Sequence, residues 1–159
     1  MPGEEELVLA AFRSADNRAA LREAALTLLP LAAFWAAMYF AMQIHVALAL
    51  VLALPAGAFL VRLFMIQHDC GHGAFFSGKA ANDWTGRVLG VLTLTPYGWW
   101  QRSHALHHAT SGSLERRGYG DIDTLTVAEY RARSPWGRAK YRMYRHPLVL
   151  FGIGPAYMF

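Results

Sequence analysis

Residues 24–61 read AALTLLPLAAFWAAMYFAMQIHVALALVLALPAGAFLV, a run without a single Asp, Glu, Lys or Arg. One helical crossing of a bilayer needs about 20 apolar residues, so the run is close to two crossings long. Gln43, Ile44 and His45 form its polar break. The pattern predicts a transmembrane hairpin, with a first crossing over 24–42, a tight turn at 43–45 and a second crossing over 46–63. Pro55 and Gly57 fall inside the second crossing, where a membrane helix tolerates them. Arg13, Arg18 and Arg22 precede the hairpin and Arg62, Lys79 and Arg87 follow it, while the turn carries no Lys or Arg. The positive-inside rule then places both ends of the hairpin in the cytoplasm.

The composition agrees. Apolar residues make up 55% of the 159-residue chain and charged residues 16%, against about 25% charged in ordinary soluble domains. An all-α integral membrane protein is expected. The only cysteine, Cys70, rules out an intrachain disulfide. The net charge of +4 comes largely from residues beside the apolar segments, which points to membrane flanks and not to nucleic acid. The start of the chain carries both signs of charge and lacks the basic region and cleavage site of a signal peptide. The first crossing is therefore expected to be retained. Residues 1–23 read as a cytoplasmic lead-in, amphipathic over 4–23, with Leu7, Ala10, Ala11, Ser14 and Arg18 near one another on a helix.

Beyond Arg62 the second helix is expected to continue toward His68 and His72. Six residues at 1.5 Å each lift His68 roughly 9 Å beyond Arg62 along the axis. SGKAANDW, residues 77–84, is turn-rich and predicts a loop. VLGVLTLTPYGWW, residues 88–100, is apolar but too short to span and is interrupted by Pro96 and Gly98, so an interfacial or re-entrant segment is expected. Its Tyr97, Trp99 and Trp100 are types found at headgroup depth. Residues 111–146 are polar and basic. PLVLFGIGPAYMF, residues 147–159, begins a further crossing without completing it, and the chain is expected to be cut off there. No internal repeat or low-complexity tract is evident.

Five of the seven histidines fall in two windows, IQHDCGHG at 66–73 and SHALHHAT at 103–110. His68 and His72 are spaced i, i+4, and His104, His107 and His108 follow i, i+3, i+4. On a helix each set projects from one face. Imidazole nitrogens suit zinc, copper, iron or nickel. Five such donors exceed what one tetrahedral zinc uses, which favours a two-metal or higher-coordinate site. A single cysteine excludes an iron–sulfur cluster, and few carboxylates stand nearby; Asp69 and Asp83 are the nearest. Asp69, off the histidine face, fits a partner for an imidazole N–H. Cys70 is read as a small buried side chain, and Gly71 and Gly73 as sites of close helix packing. Trp99, Trp100, Phe75 and Phe76 fit either the lining of a hydrocarbon path or headgroup anchors. His45 and His146 stand apart from both windows and are given no ligand role.

HDCGH at 68–72 and HALHH at 104–108 resemble the first two histidine boxes, H-x(3)-H and H-x(2)-HH, of the membrane fatty acid desaturases. QHDCGHGAFF, the Asn82–Asp83 pair, PYGWWQRSHALHHATSGSLERRGYGDIDTLTVAEY and YRMYRHPLVLFGIGPAYMF resemble the bacterial acyl-lipid type, omega-6 or delta-12. The resemblance covers roughly residues 60–159. It implies that His68, His72, His104, His107 and His108 hold a di-iron centre at the cytoplasmic face of a bacterial inner membrane. It further implies an acyl lipid substrate, dioxygen, and an electron donor such as ferredoxin or a cytochrome b5-type protein. The family has a third histidine box that nothing after His108 supplies. Residues 24–159 are accordingly expected to be the N-terminal part of a desaturase domain, inactive alone. The rivals are a related lipid oxygenase, such as a carotenoid ketolase, a hydroxylase or an alkane hydroxylase, and a non-catalytic protein binding zinc or haem.

Overall fold

The computed structural model describes residues 15–118 and 122–154. Most of the lead-in, including Leu7, Ala10, Ala11 and Ser14, lies outside the described residues, as does the end of the last apolar run. Among the described residues the regular structure is entirely helical. The chain divides into two compact units, residues 1–105 and 106–159.

The first unit is built on the hairpin. Helix α1 spans Asn17–Ile44 and opens on Asp16, whose carboxylate accepts from the Arg18 N–H at 2.8 Å. The helix therefore starts seven residues before the expected crossing, because Asp16 caps a stretch rich in good helix formers. Helix α2 spans Val46–Gly71. His45 alone joins the two. Its backbone is extended (φ −163°, ψ 133°), its N–H donates to the Ala41 carbonyl at 2.9 Å and its Nδ1 accepts from the Ala47 N–H at 3.1 Å. One residue thus closes α1 and opens α2, so the turn expected over 43–45 contracts to His45.

At the other end of the hairpin, Arg62 of α2 pairs with Glu23 of α1, and its Nε donates to Thr27 Oγ1 at 2.9 Å. Both helices are long and apolar enough to cross a membrane, and only 17% of the most apolar window of each is buried within the protein. Leu29, Phe40, Leu50 and Leu54 are among the large apolar side chains left exposed. Surface of that kind requires an apolar surrounding, which a bilayer provides.

Residues 79–84, expected in a loop, are helical. Helix α3 spans Lys79–Leu92. The polar residues that suggested a turn are put to other use: Asn82 is buried, accepts from the Phe76 N–H at 2.9 Å and donates to the carbonyls of Phe76 and Gly78 at 2.7 and 3.1 Å. It ties the preceding strap to the first turn of α3. The expected segment 88–100 is also two pieces. Helix α3 ends at Leu92 and α4 spans Tyr97–Thr110, with a turn between them in which Leu94 takes φ 54°. The Pro96 carbonyl accepts from the N–H groups of Trp99 and Trp100, so the proline opens α4 and does not merely break an apolar run.

Close packing fixes α4 against α3. Gly86 and Gly90 stand one turn apart, and a Cβ at Gly86 would meet the Tyr97 ring at 2.2 Å. The core of this unit gathers Leu31, Leu63, Ile66, Cys70, Leu89 and Tyr97. Phe75 and Trp100 pack against it. This core lies beside the last turns of α2, where the histidines begin.

In the second unit, Arg117 organises the chain after α4. Its guanidinium reaches the carbonyls of Leu114 and Thr124 and pairs with Glu129 at 2.9 Å. Helix α5, Val127–Ala132, starts on a reciprocal capping box between Thr126 and Glu129. Helix α6, Pro135–Tyr144, starts on Ser134, whose hydroxyl accepts from the Gly137 N–H. The Tyr141 hydroxyl accepts from the Leu125 N–H at 3.1 Å and its ring lies 5.9 Å from that of Tyr130, joining α6 to α5. A π-helical turn, Val149–Ile153, follows.

Candidate metal centre

His68 sits in the last turn of α2, and His72 is the residue that ends it, with φ −81° and ψ −5°. His104 comes from α4. Their Nε2 atoms form a triangle: 3.3 Å from His68 to His72, 3.2 Å from His72 to His104 and 3.0 Å from His104 to His68. A neutral imidazole carries one N–H and one lone pair. Three Nε2 atoms so close cannot all be paired with one another to advantage, and protonating all three would set like charges side by side. A cation resolves the conflict. Metal–nitrogen bonds of about 2.0–2.1 Å space ligand nitrogens roughly 2.9–3.4 Å apart between right-angle and tetrahedral geometry. The three observed edges fall inside that range, so the donor set fits a metal ion.

Helix α4 also carries His107 and His108. His108 therefore follows His104 by one turn of the same helix. His68, His72, His104 and His108 offer ligand nitrogens all within 4.8 Å of one another. His107 is not in that group; its ring lies 5.7 Å from that of His108.

Neighbouring residues hold the rings in place. Asp69 Oδ1 lies 3.2 Å from His68 Nδ1. A proton kept on Nδ1 by that carboxylate leaves the Nε2 lone pair facing the triangle. Trp100 stacks on His104, ring centres 4.7 Å apart and planes 12° apart. Gly71 makes room for this, since a Cβ there would come within 2.7 Å of the Trp100 ring. Gln101 Nε2 donates to the Gly71 carbonyl at 3.0 Å, fastening α4 to the end of α2. The buried Gln67 accepts from the Thr93 hydroxyl at 2.6 Å.

Other expectations divide. Gly71 does permit close packing; Gly73 does not, having φ 68° and open space around it, so it serves the turn after α2. Cys70 is buried in the core. Asp83 pairs with Lys79 at 2.5 Å. Phe76 is buried and Trp99 exposed. His45 caps the hairpin, and His146 accepts from the Leu148 N–H at 3.3 Å. Sequence reasoning gave Trp100 only a hydrocarbon-lining or headgroup role and gave Gln101 none, so it missed that both support the histidine group. Trp100 precedes His104 by four residues, one helical turn, and that spacing was the available signal. Burial pushes the Tyr97 phenol above its ordinary value.

The model of the fatty acid desaturase family matches residues 44–159. The chain belongs to the fatty acid desaturase family. It is 43% identical over 151 residues to a fatty acid desaturase of Bacillus subtilis, covering 95% of this chain and 43% of that protein. It is 34% identical over 104 residues to a Synechocystis protein named sn-1 acyl-lipid omega-3 desaturase (ferredoxin), covering 65% of this chain and 27% of that one. A delta(12)-acyl-lipid desaturase of Punica granatum is 38% identical over 80 residues, 50% of this chain and 19% of that protein. The chain thus spans less than half the length of these relatives. No solved structure matches it. Family membership and two apolar helices with exposed flanks make this desaturase-family chain a membrane protein. Four of the five box histidines, His68, His72, His104 and His108, lie together in a metal-binding arrangement.

Proposed function

We propose that this chain supplies histidine ligands to a di-iron centre for the oxygen-dependent desaturation of acyl chains in membrane lipid. The observation that carries the reading is the Nε2 triangle of His68, His72 and His104, extended by His108, in a member of the desaturase family. An alkyl C–H bond offers nothing for acid–base catalysis to act on, and iron with dioxygen supplies the oxidising power when bound.

The residues of the chain do the positioning. Asp69 holds the proton of His68 on Nδ1, and Trp100 sets the ring plane of His104. Gln101 keeps α4 in register with α2. His107, outside the four-histidine group, would be the fifth imidazole available to the centre. Phe75 and Trp100, packed on the apolar core, give an acyl chain a surface that excludes water. Names of the relatives favour an acyl lipid as substrate and ferredoxin as donor. The arginine-flanked hairpin ends favour boxes on the cytoplasmic side of a bacterial inner membrane. Residues 1–23 then form a cytoplasmic lead-in and residues 24–159 the N-terminal part of the desaturase domain.

Because residues 24–159 are proposed to be inactive alone, the reading is tested by expressing a complete desaturase that carries them together with a third histidine box, followed by chromatography of lipid acyl chains. Oxygen-dependent unsaturated products are expected, and His107→Ala should abolish them with membrane insertion intact. Hydroxylated or keto products would move the protein to the related lipid oxygenases. A purified protein with zinc and no iron would make it a non-catalytic metal binder.

A further inference from the structure

Helix α6 carries a feature that metal chemistry does not use. Residues 131–145 hold Arg131, Arg133, Arg138, Lys140, Arg142 and Arg145 and no Asp or Glu. At 100° per residue, Trp136, Lys140 and Met143 fall within about 60° on one face of α6. Trp136 is 69% exposed and Met143 62%, and the Lys140 ammonium lies 5.5 Å over the Trp136 ring. Arg138 and Arg142, with Arg145 just past the helix end, gather within about 60° on the opposite face. A tryptophan and a methionine on one exposed face, with Lys140 between them and arginines on the opposite face, is the pattern of a helix lying in a membrane interface.

Position in the chain adds to this. Only His146 and Pro147 separate Arg145 from Leu148, where an exposed apolar turn containing Phe151 and Ile153 begins. Four residues reach at most about 14 Å, so the C-terminal end of α6 stays within that distance of the apolar segment.

We infer that α6 is an anionic-lipid-binding helix, seating Trp136 and Met143 at the acyl boundary while its arginines and Lys140 contact acidic headgroups. The inference rests on the membrane setting of the family, not on the identity of the metal. An acidic partner protein would use the same cations, but it has no need of Trp136 and Met143 beside an apolar segment; the paired features favour lipid.

The test uses the whole chain in nanodiscs of neutral lipid and of neutral lipid mixed with acidic phospholipid, each with bromines on the acyl chains. The contribution of Trp136 is the fluorescence of the native chain minus that of Trp136→Phe. Quenching of that contribution should be about twofold greater or more in the acidic discs, and should fall to the neutral level in a Lys140→Gln, Arg142→Gln, Arg145→Gln variant or at high salt, where the Debye length shrinks. Hydrogen exchange of residues 136–144 in the native chain gives a readout free of substitutions, and slower exchange in acidic discs is expected. Equal quenching and exchange in both discs would overturn the inference. So would a Trp136 shielded from aqueous acrylamide by an added acidic protein yet untouched by brominated lipid.

Discussion

His68 shows how a carboxylate off the histidine face can still orient an imidazole. With Asp69 Oδ1 3.2 Å from Nδ1, the ring is held with Nε2 toward its two neighbours. Partners of this kind are worth about 10–100-fold in metal affinity or activity. Asp69→Asn, which removes the charge and keeps the shape, should weaken metal binding by about that factor, measured by competition with a chromophoric chelator. Unchanged affinity would show that Asp69 has no part in orienting His68. The clustering of histidines was legible in the sequence because i, i+4 and i, i+3 spacings have fixed angular meaning on a helix. Which nitrogen each ring presents was not, because that depends on α4 folding back against α2. The stacking of Trp100 on His104 was hidden for a related reason: it depends on Gly71 leaving space across a helix–helix contact.

At the scale of elements, uncharged length announced the hairpin, yet its boundaries moved. Asp16 extends α1 backward, and His45 alone does the work expected of three residues. The loop expected over 77–84 failed because Asn82 is a turn former only when its side chain serves the local backbone from outside a helix. Here it reaches back from inside one. Packing of α3 against α4 gives a direct check. Gly86→Ala places a methyl 2.2 Å from a buried tyrosine ring, and overpacking of that kind costs about 1–3 kcal/mol. Its thermal midpoint in detergent should fall. Gly98→Ala, in the first turn of α4 with nothing within 4 Å, should leave the midpoint unchanged or slightly raised. Equal effects at both positions would refute the packing contact.

The loop before α5 makes a pH prediction. Hydrogen bonding from Arg117, with help from Thr126, holds the Glu129 carboxyl down at about 2, against an ordinary 4.5. A depressed acid contributes stability above its unfolded value and loses it as pH falls toward its folded one. Exchange protection of residues 122–132 should therefore be full at pH 6 and decline between about 4.5 and 2. Glu129→Gln should remove that dependence, and a wild-type profile flat across this window would contradict the ion pair's role.

Across the whole molecule, a membrane hairpin ends in histidines that a second helix pair completes, and an exposed basic helix borders a further apolar segment. The uncharged run was enough to read the hairpin and the two boxes to read the histidine spacing, while α3 and the basic helix α6 were not read as helices. The convergence of the boxes in space is a property of the fold. It also bears the functional claim, so iron binding is the measurement to make first. The full chain, purified in detergent without oxygen and supplied with ferrous ion, should retain at least about one iron per chain after desalting, as expected of a multi-imidazole site. His72→Ala and His104→Ala, with helix content unchanged, should each retain little. Retention undiminished in both variants, or none in the native chain, would contradict the histidine group as a metal centre.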